Sequence, residues 1–243
     1  MARLRGRGPT CARRGTRRKC WRSWRRSVVE LEQTGRSQPV RHSERGSFDR
    51  ETVNAILDAA LLCHVGYVLD GAPLVTPTLF WRDGERIFWH GSAASRALQT
   101  QTECEVCLTV SLLDGIVLSR SAFNHSVNYR SVMLFGTARS VDDPGEKLAS
   151  LEKLMERIAR GRWGEVRQPS DSELKATGVL WMDIREGAAK IRAIPVGEEL
   201  AERDQPVWAG VVPVETVLGE PEPAAGLASD IELPGYLSEI RLS

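Results

Sequence analysis

The spacing of apolar residues changes along the chain, and each change predicts a different element. From residue 49 to 62, apolar side chains recur every three or four positions, which predicts an amphipathic helix with Asp49 as its N-cap. The same spacing predicts a longer helix over residues 144–160, where Pro144 suits the first turn. A short helix is expected at about residues 93–101.

Between these helices, short apolar segments alternate with turn-forming residues. Asp-Gly pairs at residues 70–71, 83–84 and 114–115 predict tight hairpins, because both residue types tolerate a positive φ. Hairpin-linked strands with a few helices predict an α+β fold built on an antiparallel barrel. The expected strands cover residues 63–69, 73–81, 86–90, 104–111, 116–121, 130–141, 179–184 and 190–194, with 208–214 as a further candidate.

The charge of the chain is unevenly distributed. Its formal net charge is +1, but the segment ending at Arg26 holds eleven Lys or Arg residues and no acid. The remaining residues, 27–243, therefore carry a formal charge of −10. Such an acidic domain is not expected to have nucleic acid as its main partner. A membrane partner is not expected either, since no apolar run of about 18 residues occurs.

The basic leader has three interpretations. It is a charged tail attracted to RNA or to a membrane surface, a targeting peptide without the apolar core of a secretory signal, or an over-extended gene start. The last is favoured, since residues 1–26 show no period that would let them pack. We expect a poorly ordered lead-in over residues 1–46, a folded domain over 47–215 and a Pro-rich tail over 216–243.

The cysteines do not suggest a metal site. Cys104 and Cys107 have redox or zinc spacing, but residues three apart in a strand point to opposite faces. Cys63 and His64 are adjacent and also point apart, so a nucleophile–base pair is not expected. An odd number of cysteines without a signal peptide predicts a reducing, cytoplasmic location.

Two segments carry candidate chemistry. They read IFWHGSAASRAL at residues 87–98 and NYRSVMLFGTA at residues 128–138. A phosphate favours cationic and hydroxyl donors at a helix N-terminus, and the His-Gly-Ser-x-x-Ser-Arg run supplies them. Gly91 would let a ligand approach the backbone. The alternative is an ordinary strand-to-helix turn with a solvated arginine.

These segments resemble the pyridoxamine 5′-phosphate oxidase-like FMN-binding split-barrel family. The likeness is to its branch of nitroimidazole-resistance and flavin-nucleotide-binding proteins, and it extends over residues 47–215. The resemblance implies an antiparallel Greek-key split β-barrel with flanking helices. It also implies a homodimer with FMN, or FAD, in a groove between the subunits.

The resemblance implies particular site residues. The strand containing Val75–Phe80 would lie behind the flavin ring, and Ser95 and Arg96 would bind its phosphate. His90 is the catalytic candidate, because it matches a histidine of the nitroimidazole-resistance proteins. The implied cofactor-binding residues are Val75, Thr76, Pro77, Thr78, His90, Gly91, Ser92, Ser95, Arg96, Arg130, Ser131, Lys190 and Arg192. The last two would reach the partner's flavin, although a solvated strand face explains them equally well.

The chain departs from the oxidases of this family at three positions. Ala97 replaces a lysine, and Val75 and Phe80 stand where the oxidases carry an arginine and a lysine. Pyridoxamine-phosphate oxidase activity is therefore not expected, and Arg120 or Arg130 would have to compensate at the phosphate.

The resulting functional hypothesis is a flavin-dependent oxidoreductase acting on a small molecule. The alternatives are a non-catalytic flavin- or haem-binding carrier or sensor, and a deazaflavin-dependent reductase. A nicotinamide-binding Gly-x-Gly-x-x-Gly element is missing, so a reductant would bind transiently or come from a partner. The polar run over residues 119–128 is a secondary candidate site.

Overall fold

The computed structural model describes residues 29–197 and 203–240, so most of the basic leader lies outside the described residues. The described part contains ten strands and four α-helices. In chain order these are β1 (Gly46–Ser47), α1 (Arg50–Asp58), β2 (Leu62–Leu69), β3 (Ala72–Asp83), β4 (Arg86–Ser92), α2 (Arg96–Gln101), β5 (Glu105–Leu118), β6 (Ser126–Thr137), β7 (Arg139–Ser140), α3 (Pro144–Ile158), α4 (Asp171–Ala176), β8 (Thr177–Asp183), β9 (Glu186–Arg192) and β10 (Gly210–Pro213).

The strands form one curled antiparallel sheet. Their order is β1-β9-β6-β5-β2-β3-β4-β8-β7. β10 pairs with the end of β5 that extends beyond β2. β8 and β9 follow each other in the chain, yet five strands lie between them in the sheet. The sheet must therefore curl until its two ends meet, which makes a barrel. This confirms the predicted α+β fold with an antiparallel split barrel.

The split arises because β3 changes partner along its length. Its first part pairs with β2 as far as the Leu62–Leu79 pair, and its last part pairs with β4 from the Phe80–Trp89 pair onward. Beyond Trp89, β4 therefore separates from β3 and continues beside β8. This separation opens one end of the barrel next to the loop that follows β4.

Two apolar clusters fill the fold. The larger occupies the barrel interior and includes Leu57, Phe80, Trp89 and Leu134, all nearly inaccessible to solvent. The smaller lies between α3 and the strands β3, β4 and β8, around Trp81 and neighbouring apolar residues. Burial of these side chains supplies the main driving force for the fold.

The helices predicted over residues 49–62 and 144–160 are confirmed as α1 and α3, although α1 ends at Asp58, and Asp49 is the predicted cap of α1. The Asp49 carboxylate accepts a hydrogen bond from the Thr52 amide at 2.9 Å, and α1 buries an apolar face that contains Ile56. In α3, Pro144 occupies the first turn and Asp143 is the cap. The helix α4 was not predicted, because its six residues are too few to show a period. None of the helices in the described part is long and apolar enough to cross a membrane.

Two of the three Asp-Gly pairs make the predicted hairpin turns. Asp70 and Gly71 both adopt a positive φ, of 53° and 79°, and Gly84 has a φ of 58°. The prediction for Asp114-Gly115 was wrong, because β5 runs through this pair as one strand. A β-bulge lies there instead, between the Leu113–Tyr129 and Gly115–Asn128 pairs.

The bulge is held by contacts that the local sequence does not reveal. The Arg130 guanidinium donates to both carboxylate oxygens of Asp114 at 2.9–3.1 Å. The Val214 amide donates to the Asp114 carbonyl at 3.1 Å, where β10 pairs with β5. The extra residue lets Val117 point inward after the bulge, where it is fully buried.

The segment just before residue 47 packs against the barrel. Leu31 is 3% exposed and belongs to the barrel core, and β1 pairs with β9. The Arg36 guanidinium bridges Glu186 and Glu105 and lies over the Phe135 ring. Arg36 also lowers the pKa of the Glu186 carboxyl. The packed region therefore includes residues 29–46.

Candidate functional site

The loop after β4 carries donors that the fold leaves largely unused. Ser95 is the N-cap of α2, but its hydroxyl makes no capping hydrogen bond. Arg96 extends into solvent with its side chain 77% exposed, and it contacts Asp70 at 3.4 Å. A hydroxyl and a guanidinium are thus presented together at the open end of the barrel. They suit an anionic group such as a phosphate.

A pair of glycines sets the position of this loop. Gly91 of β4 and Gly178 of β8 are cross-strand partners, and Leu98 of α2 packs over both. A Cβ added at Gly178 would lie 2.2 Å from the Leu98 Cδ2 atom and 3.4 Å from the Ala93 Cα. The short helix therefore rests directly on the strand backbones, and this contact orients Arg96.

Lys147 is a second cation near this loop, and sequence reasoning missed it. Its ammonium donates to the Thr177 carbonyl at 3.1 Å, and Thr177 is the cross-strand partner of Ser92. Lys147 and Ala93 also line a cavity of about 190 Å³. The sequence held one signal for Lys147. A lysine in the first turn of a predicted helix is unfavourable to the helix dipole, so its presence there indicates another role. Lys147 supplies a positive charge beside the loop that follows β4.

The His90 side chain and Leu98 of α2 lie on opposite faces of β4. Its ring centroid is 6.1 Å from that of Trp81, on the side covered by α3. The His90 Nδ1 atom and the Trp81 Nε1 atom are both buried and lack a hydrogen-bond partner in the described part of the chain. Burial lowers the pKa of His90 below its ordinary value of 6.5, so the imidazole is neutral at pH 7.

This burial predicts a pH dependence of stability. The folded state binds a proton at His90 less readily than the unfolded state, so stability is lost as the pH falls through and below about 6.5. We expect the wild type to lose more free energy of unfolding between about pH 8 and about pH 5 than His90→Gln does. Urea titrations at both pH values measure this difference, and parallel profiles for the two proteins would contradict it.

The four implied residues of β3 divide between two faces. Val75 and Pro77 point away from the barrel, opposite Gly66 and His64 of β2. Thr76 and Thr78 point to the barrel side. The Thr78 hydroxyl donates to the His90 carbonyl at 3.1 Å, and the Thr76 hydroxyl lies 3.4 Å from that of Tyr67.

One side of the sheet that faces solvent is unusually apolar. It is formed by β3, β2, β5 and β6, and we call it the outer face. Strand register places its members side by side, since residues directly opposite in an antiparallel pair share a face. The apolar residues on this face that are 41–63% exposed are Leu62, Val68, Val75, Leu113, Ile116, Val127 and Met133. Exposed apolar surfaces of this extent mark interaction sites.

The implied residues of β6 and β9 also divide between faces. Ser131 and Lys190 are cross-strand partners on the outer face, and the Ser131 hydroxyl donates to the Lys190 carbonyl at 3.2 Å. Arg130 points the other way, to Asp114. Arg192 is 8% exposed and donates to the Asn128 side-chain oxygen at 2.7 Å.

The structure thus groups the implied residues into two sets. Ser92, Ser95 and Arg96 lie together at the open barrel end, close to His90 in the chain. Ser131 on β6 lies four strands from β4 in the sheet order, and Lys190 on β9 lies five. Among residues 29–197 and 203–240, Cys63, Cys104 and Cys107 are free thiols, and His, Cys, Asp and Glu side chains form no metal-binding cluster of three or more.

The remaining polar run, residues 119–128, joins β5 to β6. Ser119 is buried, whereas Phe123 at the tip is 91% exposed. Arg120 donates to the Gln205 carbonyl at 3.2 Å, which ties this loop to the segment before β10. Arg120 therefore has a partner away from the open barrel end.

Comparison with known families matches residues 49–191, more than half of the chain, to the family described as pyridoxamine 5′-phosphate oxidase. The chain belongs to this family. A search of curated proteins finds no match.

Solved structures that resemble the chain agree with this family. The flavocytochrome Anf3 from Azotobacter vinelandii is 39% identical with a TM-score of 0.82, over 86% of this chain and 98% of that one. The FAD and heme binding protein from Mycobacterium smegmatis is 33% identical with a TM-score of 0.77, over 81% and 97% of the two chains.

A more distant structure shows the fold alone. A candidate 5-nitroimidazole antibiotic resistance protein from Bacteroides thetaiotaomicron is 23% identical with a TM-score of 0.50, over 60% and 86% of the two chains. Structural neighbours of the pyridoxamine 5′-phosphate oxidase family thus include the kind of protein that the HGSAASR segment resembles.

Proposed function

We propose that this chain is a flavin-nucleotide-binding redox protein that works as a homodimer. The observation that carries the proposal is a pair of donors at the open barrel end. The Ser95 hydroxyl makes no capping hydrogen bond, and the exposed Arg96 guanidinium makes a long contact of 3.4 Å with Asp70. Lys147 adds a second cation beside the same loop. Family membership and two relatives above 30% identity that are named for flavin or FAD support the same ligand.

The residues present fit a flavin nucleotide. Its phosphate would be held by Arg96, Ser95 and Ser92. His90 is partly exposed and stands two residues before Ser92 in β4, so its ring would contact the cofactor or substrate at this end of the barrel. Since His90 is neutral at pH 7, one of its ring nitrogens can accept a proton and the other can donate one. A bound flavin would supply hydride and electron transfer.

The outer face supports the homodimer. Seven partly exposed apolar side chains on one sheet face are costly to leave in water, and a second copy of the same face would cover them. Ser131 and Lys190 share this face, so a dimer would bring them towards the partner subunit.

Met133→Glu is expected to weaken the dimer, because a carboxylate would be buried beside its symmetry mate. Sedimentation velocity is expected to show monomers at concentrations where the wild type is dimeric, with a lower flavin content. Val40→Glu is the matched control, since Val40 is 91% exposed and lies in a loop, not in a strand of the outer face. A Met133→Glu protein that stays dimeric and holds flavin would contradict the proposed interface.

The proposed chemistry is oxidoreduction of a small molecule, with FMN or FAD as the cofactor. A turnover assay tests it, in which flavin-loaded protein is mixed with NADH or NADPH and a quinone or nitroaromatic acceptor. Catalytic oxidation of the nicotinamide that depends on the acceptor would support an enzyme. Reduction of the flavin without turnover would favour a carrier.

A second candidate function is a carrier or sensor that binds haem in addition to flavin. One relative is called a flavocytochrome and another an FAD and heme binding protein, and each is more than 30% identical to this chain. Both matches extend over more than four fifths of this chain. The absorbance spectrum separates the two functions, because haem has an intense Soret band that flavin lacks.

A further inference from the structure

Of the four histidines, His64 stands near the centre of the outer face. His64 stands on β2 with Pro77 and Thr109 as its cross-strand partners. Its imidazole is exposed and makes no hydrogen bond or ion pair to any described residue. An exposed imidazole without a partner, on a face that also carries partly exposed apolar side chains, suits a largely apolar ligand that has one site for a nitrogen donor.

The surroundings of His64 are low in relief and mixed, with Thr109 directly opposite it and Cys107 beside Thr109 on the same face. Leu62 is two residues before it on the same face, and Gly66 two residues after it has no side chain. Met133 lies beyond Thr109 in the same cross-strand row. A strand side chain stands roughly perpendicular to its sheet, so a planar ligand bound through the His64 ring would lie over this surface.

The other three histidines are placed differently. The His42 Nδ1 atom lies 3.1 Å from the Glu44 carboxylate, and the His125 Nδ1 atom lies 3.0 Å from the Ser121 carbonyl. Both are in polar turns. His90 is partly buried beneath α3, with its Nδ1 atom enclosed. Of the four imidazoles, His64 combines exposure with a position on the outer face.

We propose that His64 is an axial ligand to a haem that lies on the outer face between two copies of the chain. Imidazole is the usual protein ligand of haem iron, and the apolar residues around it would pack against the porphyrin. Lys190, on the same face near the edge strand, is placed to pair with a propionate. This inference rests on the proposed homodimeric flavoprotein and specifies its second cofactor.

The test uses the full chain, purified and then titrated with haemin, with flavin content measured separately. The wild type is expected to bind haemin with a sharp Soret band, and His64→Ala is expected to bind it at least roughly tenfold more weakly with a shifted band. Added imidazole is expected to restore the band position in His64→Ala. His42→Ala and His125→Ala are the matched controls and should behave as the wild type does.

The outcomes separate this inference from the flavin proposal. His64 is exposed, so His64→Ala should keep the melting temperature and the flavin content of the wild type. A His64→Ala protein with the wild-type haemin spectrum and affinity overturns the assignment, as does loss of the spectrum in His90→Ala alone. A wild type that binds flavin but not haemin overturns the haem site and leaves the flavin proposal standing.

Discussion

Arg96→Ala is expected to weaken the binding of both FMN and FAD roughly 10- to 100-fold, because it removes a charge-assisted hydrogen bond to the phosphate. The free energy of unfolding of the flavin-free protein should not change, since the Arg96 side chain is 77% exposed and its contact with Asp70 is long. Fluorescence titration of the flavin-free protein measures both dissociation constants.

Asp70→Asn is the matched control for this experiment. The Asp70 carboxylate competes with the phosphate for Arg96, so removing its charge is expected to strengthen flavin binding in the wild type. The same change should have no effect when Arg96 is already alanine. Equal flavin affinities for Arg96→Ala and the wild type would show that the phosphate lies elsewhere.

Gly178→Ala is expected to destabilise the protein by about 1–3 kcal/mol and to weaken flavin binding at the same time. The new Cβ would lie 2.2 Å from the Leu98 Cδ2 atom and 3.4 Å from a backbone carbon of Ala93, so α2 has to move away from β8. Chemical denaturation gives the loss in stability, and flavin titration gives the loss in affinity.

A second substitution separates displacement of α2 from general damage. Leu98→Val shortens the side chain that the new Cβ would meet, so in the Gly178→Ala background it is expected to restore part of the flavin affinity. Gly164→Ala is the control, because a Cβ there has nothing within 4 Å. A Gly178→Ala protein with full stability and flavin affinity would contradict the packing described for α2.

The elements predicted well from sequence are those with local causes. The helix α1 follows from its apolar period and from Asp49, and the turn at Asp70-Gly71 follows from residues that tolerate positive φ. The Asp114-Gly115 pair carries the same local signal but lies within a continuous strand. Its conformation depends on Arg130 and β10, which are distant in sequence.

The candidate site shows the same division between local and distant causes. Ser95 and Arg96 lie in one short segment, so their donors could be recognised together. Lys147 and Gly178 reach that segment only through the packing of α3 and β8. The setting of His64 is visible only once strand register assembles four strands into the outer face.

The most direct test of the central claim is the absorbance spectrum of the purified full chain, with mass identification of what it releases on denaturation. If the chain binds a flavin nucleotide, the spectrum will show two flavin bands in the visible and near-ultraviolet range, and the denatured protein will release FMN or FAD. A colourless protein that also fails to bind added FMN and FAD would contradict it.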